Sequence, residues 1–215
     1  MWSFKKDDII IQPKVHKYTL VWLPGWTRTP KVDKRVFQNA PMLQDMRIRI
    51  LMAPSRKIVS NSRLSVPSWY EGVASNFSTI FPSLNEISHL VDEIIQEEYD
   101  LCQNVFLGGF SQGGATAIYT GLVVSKVPLL GIIALSAPPF PFKIKLERKK
   151  IPVFVYMGGK DEILNEELTR EKFKNLLIGM TITYTNDELL GHMYSWKEFV
   201  LLKKWMKSIA PAEHI

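Results

Sequence analysis

The chain has 215 residues, a formal net charge of +6, and 46% hydrophobic, 11% aromatic and 22% charged residues. This is the composition of a soluble globular protein, expected to form a single domain over residues 1–215 that buries roughly 70% of its chain surface. No apolar run approaches the ~20 residues of a membrane span, and the basic residues are not interleaved with aromatics as a nucleic-acid platform requires; both a transmembrane segment and a nucleic-acid partner are therefore excluded.

The opening Met1-Trp2-Ser3-Phe4-Lys5-Lys6-Asp7-Asp8 has no signal-peptide apolar segment, and its acids argue against a transit peptide. Lys17 to Leu23 reads as a buried strand ending at Pro24-Gly25, followed by a short helix around Val36 and Phe37. Arg47 to Ala53 is the next strand, stopped by Pro54, and Ser55 to Glu71 reads as a long polar loop of the kind that carries function or covers something. Ser83-Leu84-Asn85-Glu86 fits a capping box opening a helix whose apolar stripe is Ile87, Leu90, Val91, Ile94 and Ile95, with His89 facing solvent. Cys102, the single cysteine, forbids an internal disulfide and reads as a small buried side chain. It suits a reducing compartment, so a cytoplasmic location is expected.

Asn104 to Leu107 is apolar and leads into Gly108-Gly109-Phe110-Ser111-Gln112-Gly113-Gly114, then a helix. A serine between glycines at a strand-to-helix junction is the G-x-S-x-G nucleophile elbow. The sharp turn forces the serine into a strained conformation with its hydroxyl held proud, and side chains at Gly109 and Gly113 would collide there. Further strands are expected at Leu129 to Leu135, Val153 to Met157 and Thr181 to Tyr184. Helices are expected at Asn165 to Leu177 and, opened by a second capping box Ser195-Trp196-Lys197-Glu198, to about Met206. Lys143, Lys145, Arg148, Lys149 and Lys150 form a basic loop that could meet an anionic membrane surface or an acidic partner. Two-sided apolar strands alternating with helices predict an α/β fold, a mostly parallel central sheet with helices on both faces, whose functional loops gather at the carboxyl ends of the strands.

A serine hydroxyl needs a base within reach, and the base needs an orienting group. In the order expected of an α/β-hydrolase, Asp161 follows the strand Val153 to Met157, and His192 follows the strand Thr181 to Tyr184. His16, before the first strand, and His214, in the tail, do not suit the role; Glu162 should point elsewhere, and Asp187 and Glu188 precede the histidine too closely. Ser111, Asp161 and His192 are thus the expected nucleophile, orienting acid and general base. The expected oxyanion hole combines the N–H of Gln112 with that of Trp26, in the loop Leu23-Pro24-Gly25-Trp26.

With these residues in place, the chain resembles the acyl-protein thioesterase and carboxylesterase family of α/β-hydrolases. The octet Leu107 to Gly114 is similar to that family's Leu-Gly-Gly-Phe-Ser-Gln-Gly-Gly, and Pro67-Ser68-Trp69-Tyr70-Glu71 is similar to its Pro-Ser-Trp-Phe-Asp, supported by Ala134-Leu135-Ser136. The resemblance spans Tyr18 to Trp205. It implies hydrolysis of long-chain acyl thioesters or esters, with acylated proteins or lysophospholipids as substrates, Trp69 in substrate binding, and neither cofactor nor metal. The chain departs from the family's Leu-His-Gly-Leu-Gly-Asp loop, reading Leu23-Pro24-Gly25-Trp26-Thr27-Arg28, and Gly-Asp-x-Asp becomes Gly158-Gly159-Lys160-Asp161. The altered Pro24-to-Arg28 loop and the basic run from Lys143 to Lys150 motivate a second expectation, a hydrolase-fold adaptor or structural subunit of a larger assembly with little activity.

Overall fold

The structure of the protein is a computed structural model and describes residues 7–57, 64–71 and 77–210. In chain order its elements are β1 (Ile9–Ile11), β2 (Tyr18–Leu23), α1 (Pro30–Asn39), β3 (Met46–Ile50), β4 (Ser55–Lys57), β5 (Ser65–Pro67), α2 (Phe77–Leu101), β6 (Val105–Phe110), α3 (Gln112–Tyr119), β7 (Gly131–Leu135), β8 (Val153–Gly158), α4 (Glu166–Leu176), β9 (Ile182–Asp187) and α5 (Trp196–Ile209).

β2, β6, β7 and β8 are buried along their whole length, which requires cover on both faces. They stand at the centre of a seven-stranded sheet in the order β1-β3-β2-β6-β7-β8-β9. All its pairings are parallel except that of β1, an antiparallel edge strand on β3. Side-chain alternation splits the core in two. Val21, Leu23, Val105 and Leu107 pack with Ile87 and Val91 of α2 and Ile118 of α3. Leu20, Trp22 and Phe106 pack on the other face with Phe37 of α1 and Phe199, Leu202 and Trp205 of α5. This is an α/β-hydrolase sheet, and its parallel strands bring the loops beginning at Pro24, Ser111, Ser136, Gly159 and Glu188 to one end.

Several expectations are corrected. β1 is an unanticipated strand, and the polar stretch after Pro54 contains an antiparallel hairpin, β4 with β5. Ser83 does not cap a helix: α2 already begins at Phe77 and includes Pro82, because its apolar face starts at the fully buried Ile80. The Ser83 hydroxyl instead donates to the carbonyl of Ile80 (3.1 Å) and accepts from the N–H of Glu71 (2.9 Å). Cys102 is only partly buried, its thiol donating to the carbonyl of Lys17. Arg148 does not stand in the basic run as a solvated charge; it is buried and donates to the carbonyls of Gly121, in the helical turn Thr120–Val124 that follows α3, and of Val127 just beyond it. Residues 1–6, 58–63 and His214 lie outside the described residues. His89 is exposed, as its position off the apolar stripe implies.

The capping box at Ser195 forms as its sequence predicts. The Ser195 hydroxyl accepts from the N–H of Glu198, and the Glu198 carboxylate accepts from the N–H of Ser195, both at 3.1 Å. The N-cap Ser195 lies three residues after His192, so this box fixes where that loop ends and α5 begins. Glu198 has no exposed surface, and burial raises its pKa from 4.5 to about 8 against the opposing Ser195 hydrogen bond. An acid raised in this direction stabilises the fold fully below about pH 4.5 and loses that contribution as pH rises through about 8. Melting of wild type and Glu198→Gln between pH 5 and 9 should show the variant gaining on wild type as pH rises, by on the order of a few kcal/mol in all. Melting curves that keep a constant gap would contradict the buried, proton-holding carboxyl.

Candidate active site

The site is built where β6 turns into α3. Ser111 has φ 53° and ψ −120°, a left-handed backbone that side chains rarely adopt. Its N–H donates to the carbonyl of Leu135 (2.8 Å), so the sheet's hydrogen-bond ladder continues past the strand end and holds the strained residue. Gly109 and Gly113 make the turn possible. A Cβ on Gly109 would lie 2.4 Å from the backbone of Gly113, and one on Gly113 would lie 2.0 Å from the carbonyl oxygen of Leu23. The serine, Asp161 and His192 come together although their strands are far apart in sequence. The Ser111 hydroxyl donates to His192 Nε2 at 2.9 Å, and His192 Nδ1–H donates to Asp161 Oδ2 at 2.7 Å.

Asp161 sits just past the end of β8. Burial alone would push its carboxyl upward, but the His192 ring and the N–H groups of Leu164 and Ile163 outweigh this and hold it below the usual aspartate range. Those N–H groups are 2.8 and 2.9 Å from Oδ1, leaving Oδ2 for the imidazole. Glu162 does not point away from the site: its Oε2 accepts from the backbone N–H of His192 at 3.1 Å. The adjacent acids thus divide the work, one on the ring and one on the main chain of the same histidine. Phe110 packs its ring 5.0 Å from the imidazole, centroid to centroid.

The loop after β2 lies against the first turn of α3. Gln112 opens that helix, where first-turn N–H groups have no intrahelical acceptor. Among the described residues the N–H of Trp26 also has no hydrogen-bond partner, while the Trp26 side chain is 49% exposed. Trp69, expected against substrate, is placed beneath this loop instead, with no exposed surface and its indole donating to the carbonyl of Pro24 at 2.7 Å. The Gln112 side chain grips the same segment: Oε1 accepts from the N–H of Trp69 (2.8 Å), and Nε2 donates to the carbonyl of Tyr70 (3.1 Å). Neither the Glu162 contact nor the Gln112 brace was anticipated from sequence; the Pro67-to-Glu71 resemblance was the available signal for the second.

The sequence profile of the phospholipase/carboxylesterase family matches residues 6–209. The chain belongs to that family. Among its relatives, acyl-protein thioesterase 1 of Neurospora crassa is 27% identical over 98% of this chain and 95% of its own length. Acyl-protein thioesterase 1 homolog 2 of Dictyostelium discoideum is 33% identical over 70% of this chain and 72% of its own. A probable inactive carboxylesterase of Oryza sativa subsp. japonica is 24% identical over 88% and 84%. The crystal structure of Zea mays acyl-protein thioesterase 2 shares the fold, with a TM-score of 0.80 at 20% identity, over 94% of this chain and 98% of that one. Membership makes the protein a hydrolase-family chain of the esterase and thioesterase type.

The elbow's packing gives a direct test. Gly113→Ala must displace the backbone of Leu23 and Pro24, so it should destabilise the fold by about 1–3 kcal/mol, read from urea unfolding. An unchanged midpoint would show that β2 and α3 do not approach as closely as this structure has them.

Proposed function

We propose that the protein is a serine hydrolase that cleaves acyl thioesters or esters, with acyl-protein depalmitoylation and lysophospholipid or carboxylester hydrolysis as the candidate reactions. The observation that carries this reading is the hydrogen-bonded chain from Ser111 through His192 to Asp161 at the carboxyl end of the sheet. The substrate class follows from the family relatives named as thioesterases and carboxylesterases.

In this reading Asp161, held ionised, fixes the imidazole with its proton on Nδ1 and Nε2 free to accept. Ser111 Oγ attacks the acyl carbonyl carbon as its proton passes to Nε2. The carbonyl oxygen becomes an oxyanion, met by the N–H groups of Gln112 and Trp26 and by the positive end of α3. Collapse expels the thiolate or alkoxide, which takes the proton from His192 and leaves the acyl group on Ser111. Water then attacks the acyl carbonyl as its proton passes to the same nitrogen; the Ser111 Oγ–acyl bond breaks, Oγ takes that proton back, and the carboxylic acid leaves. Trp69 and the Gln112 side chain act beneath this chemistry by seating Pro24 and the chain that follows it. The Trp26 ring is exposed, and in this reading it would meet the acyl chain or wall off part of its path.

The adaptor reading draws on the inactive relative and on the altered loop after Leu23. An intact Ser-His-Asp chain weighs against it, because drift without selection would be expected to damage these residues. Among the described residues no helix is long and apolar enough to cross a membrane. With one cysteine, a reducing, cytoplasmic setting fits the chain best. The exposed Lys143, Lys145 and Lys150 remain available to an anionic surface or an acidic partner in a larger assembly.

A fluorophosphonate probe should label wild type at Ser111 and leave Ser111→Ala unlabelled; absence of wild-type labelling would favour the adaptor reading. On p-nitrophenyl esters of graded chain length, Asp161→Asn should keep substrate binding but lose roughly 10⁴-fold in kcat through the wrong imidazole tautomer. A loss of less than about tenfold would remove Asp161 from the orienting role.

A further inference from the structure

Resting on the serine-hydrolase reading, we propose that Arg28 and Tyr194, joined through the buried carboxylate of Asp33, are positioning residues that hold the Trp26 N–H and the His192 ring in register around Ser111. Asp33 lies on α1, outside the hydrogen-bonded chain of the site, and has no exposed surface. Its Oδ1 accepts from Arg28 Nε (3.0 Å) and Nη2 (2.8 Å). Its Oδ2 accepts from the Trp22 indole (2.8 Å) and from the Tyr194 hydroxyl (2.9 Å). A buried carboxylate with four donors is fully paired, and each donor is fixed in turn by a strong, charge-assisted bond.

Two of these donors lie close in sequence to residues of the site. Arg28 is two residues beyond Trp26, and Tyr194 is two residues beyond His192. The Arg28 guanidinium lies 4.7 Å from the Tyr194 ring centroid and 5.4 Å from that of Phe110. Phe110 is 4.5 Å from Tyr194 and 5.0 Å from the His192 ring, and Gly25 sits directly against it. The path therefore runs along the chain from Trp26 to Arg28, by hydrogen bonds through Asp33 to Tyr194, and by ring contacts through Phe110 to His192.

Backbone strain says why such a clamp is needed. Thr27 has φ 64°, and a β-branched residue there costs about 1–3 kcal/mol. Such a conformation persists only where the neighbours determine it. The N–H of Thr27 donates to the carbonyl of Pro67 (2.9 Å), and that of Arg28 to Gly25 (3.1 Å). The resembled loop has glycine and aspartate where this chain has Thr27 and Arg28. Glycine takes a left-handed turn freely, whereas threonine has to be held, and Arg28 supplies the hold.

Steady-state kinetics on a p-nitrophenyl ester, with fluorophosphonate labelling rates, test this. Arg28→Gln should lower kcat and the labelling rate by about 10- to 100-fold with KM little changed. Tyr194→Phe, which removes one oxygen and keeps the ring, should lower both about fivefold. Because both act through Asp33, the double variant should lose clearly less than the product of the single losses. Tyr194→Phe and Arg28→Gln within twofold of wild type, or losses that multiply, would overturn the proposal; should Arg28→Gln not fold, Tyr194→Phe alone decides by the same limits. A rise in KM with kcat intact would equally overturn it, by assigning the cluster to ground-state binding. Wild type that is not labelled overturns the hydrolase reading, and this proposal with it; labelled wild type with unaffected variants overturns this proposal alone.

Discussion

The contact between the first turn of α3 and the carbonyls of Leu23 and Pro24 is the constraint on which the rest of the site depends. With hydrogen at position 113, the elbow helix lies against the end of β2; any larger side chain there would occupy the place of the Leu23 carbonyl oxygen. That approach puts the Ser111 hydroxyl, the first N–H groups of α3 and the loop carrying Trp26 within one small volume. Everything else at this end of the sheet braces that arrangement. Trp69 and Gln112 hold the loop from below, Arg28 from the side, and Glu162 and Asp161 hold the histidine that faces it.

Strain concentrates at the same place. Among the described residues, the non-glycine positions with left-handed backbone are Thr27, Ser111 and Ser136. Each follows a strand whose carboxyl end opens on the site, on β2, β6 and β7. Ser111 and Ser136 are held by successive rungs of one ladder, the first donating to Leu135 and the second to Tyr156. Thr27 has no such rung and relies on Pro67 and on the Arg28 anchor. A parallel sheet is stiff enough to hold two of these residues; the third is held by a backbone bond to Pro67 and, in our proposal, by the Arg28 side chain.

What could be read in the sequence was what short-range chemistry writes. The elbow glycines, the strand ends carrying Asp161 and His192, and the Ser195 capping box all follow from local pattern, and the structure places them accordingly. The failures have equally physical causes. The Ser-x-x-Glu pattern at Ser83 is a helix-start signal, but burial of Ile80 one turn earlier prevails over it. Arg148 looked like one charge in a basic run because its carbonyl partners, Gly121 and Val127, come from a different segment. Asp33 was invisible for the same reason: its donors stand five, eleven and 161 residues away, and no periodicity links them. Trp69 was visible as part of a motif, yet its burial and its bond to Pro24 are properties of the folded loop.

The loop after Leu23 is one place where this chain departs from the resembled family pattern. Proline and tryptophan replace the smaller or polar residues of the resembled loop, while the backbone N–H of Trp26 stays without a partner among the described residues. We propose that Ser111 is faced by two N–H donors, those of Gln112 and Trp26, despite those replacements. A crystal structure of the phosphonylated protein tests it most directly. The account predicts the phosphonyl oxygen within ~3 Å of the N–H groups of both Gln112 and Trp26; an oxygen that points away from Trp26, or a Pro24-to-Arg28 loop displaced from the elbow, would contradict it.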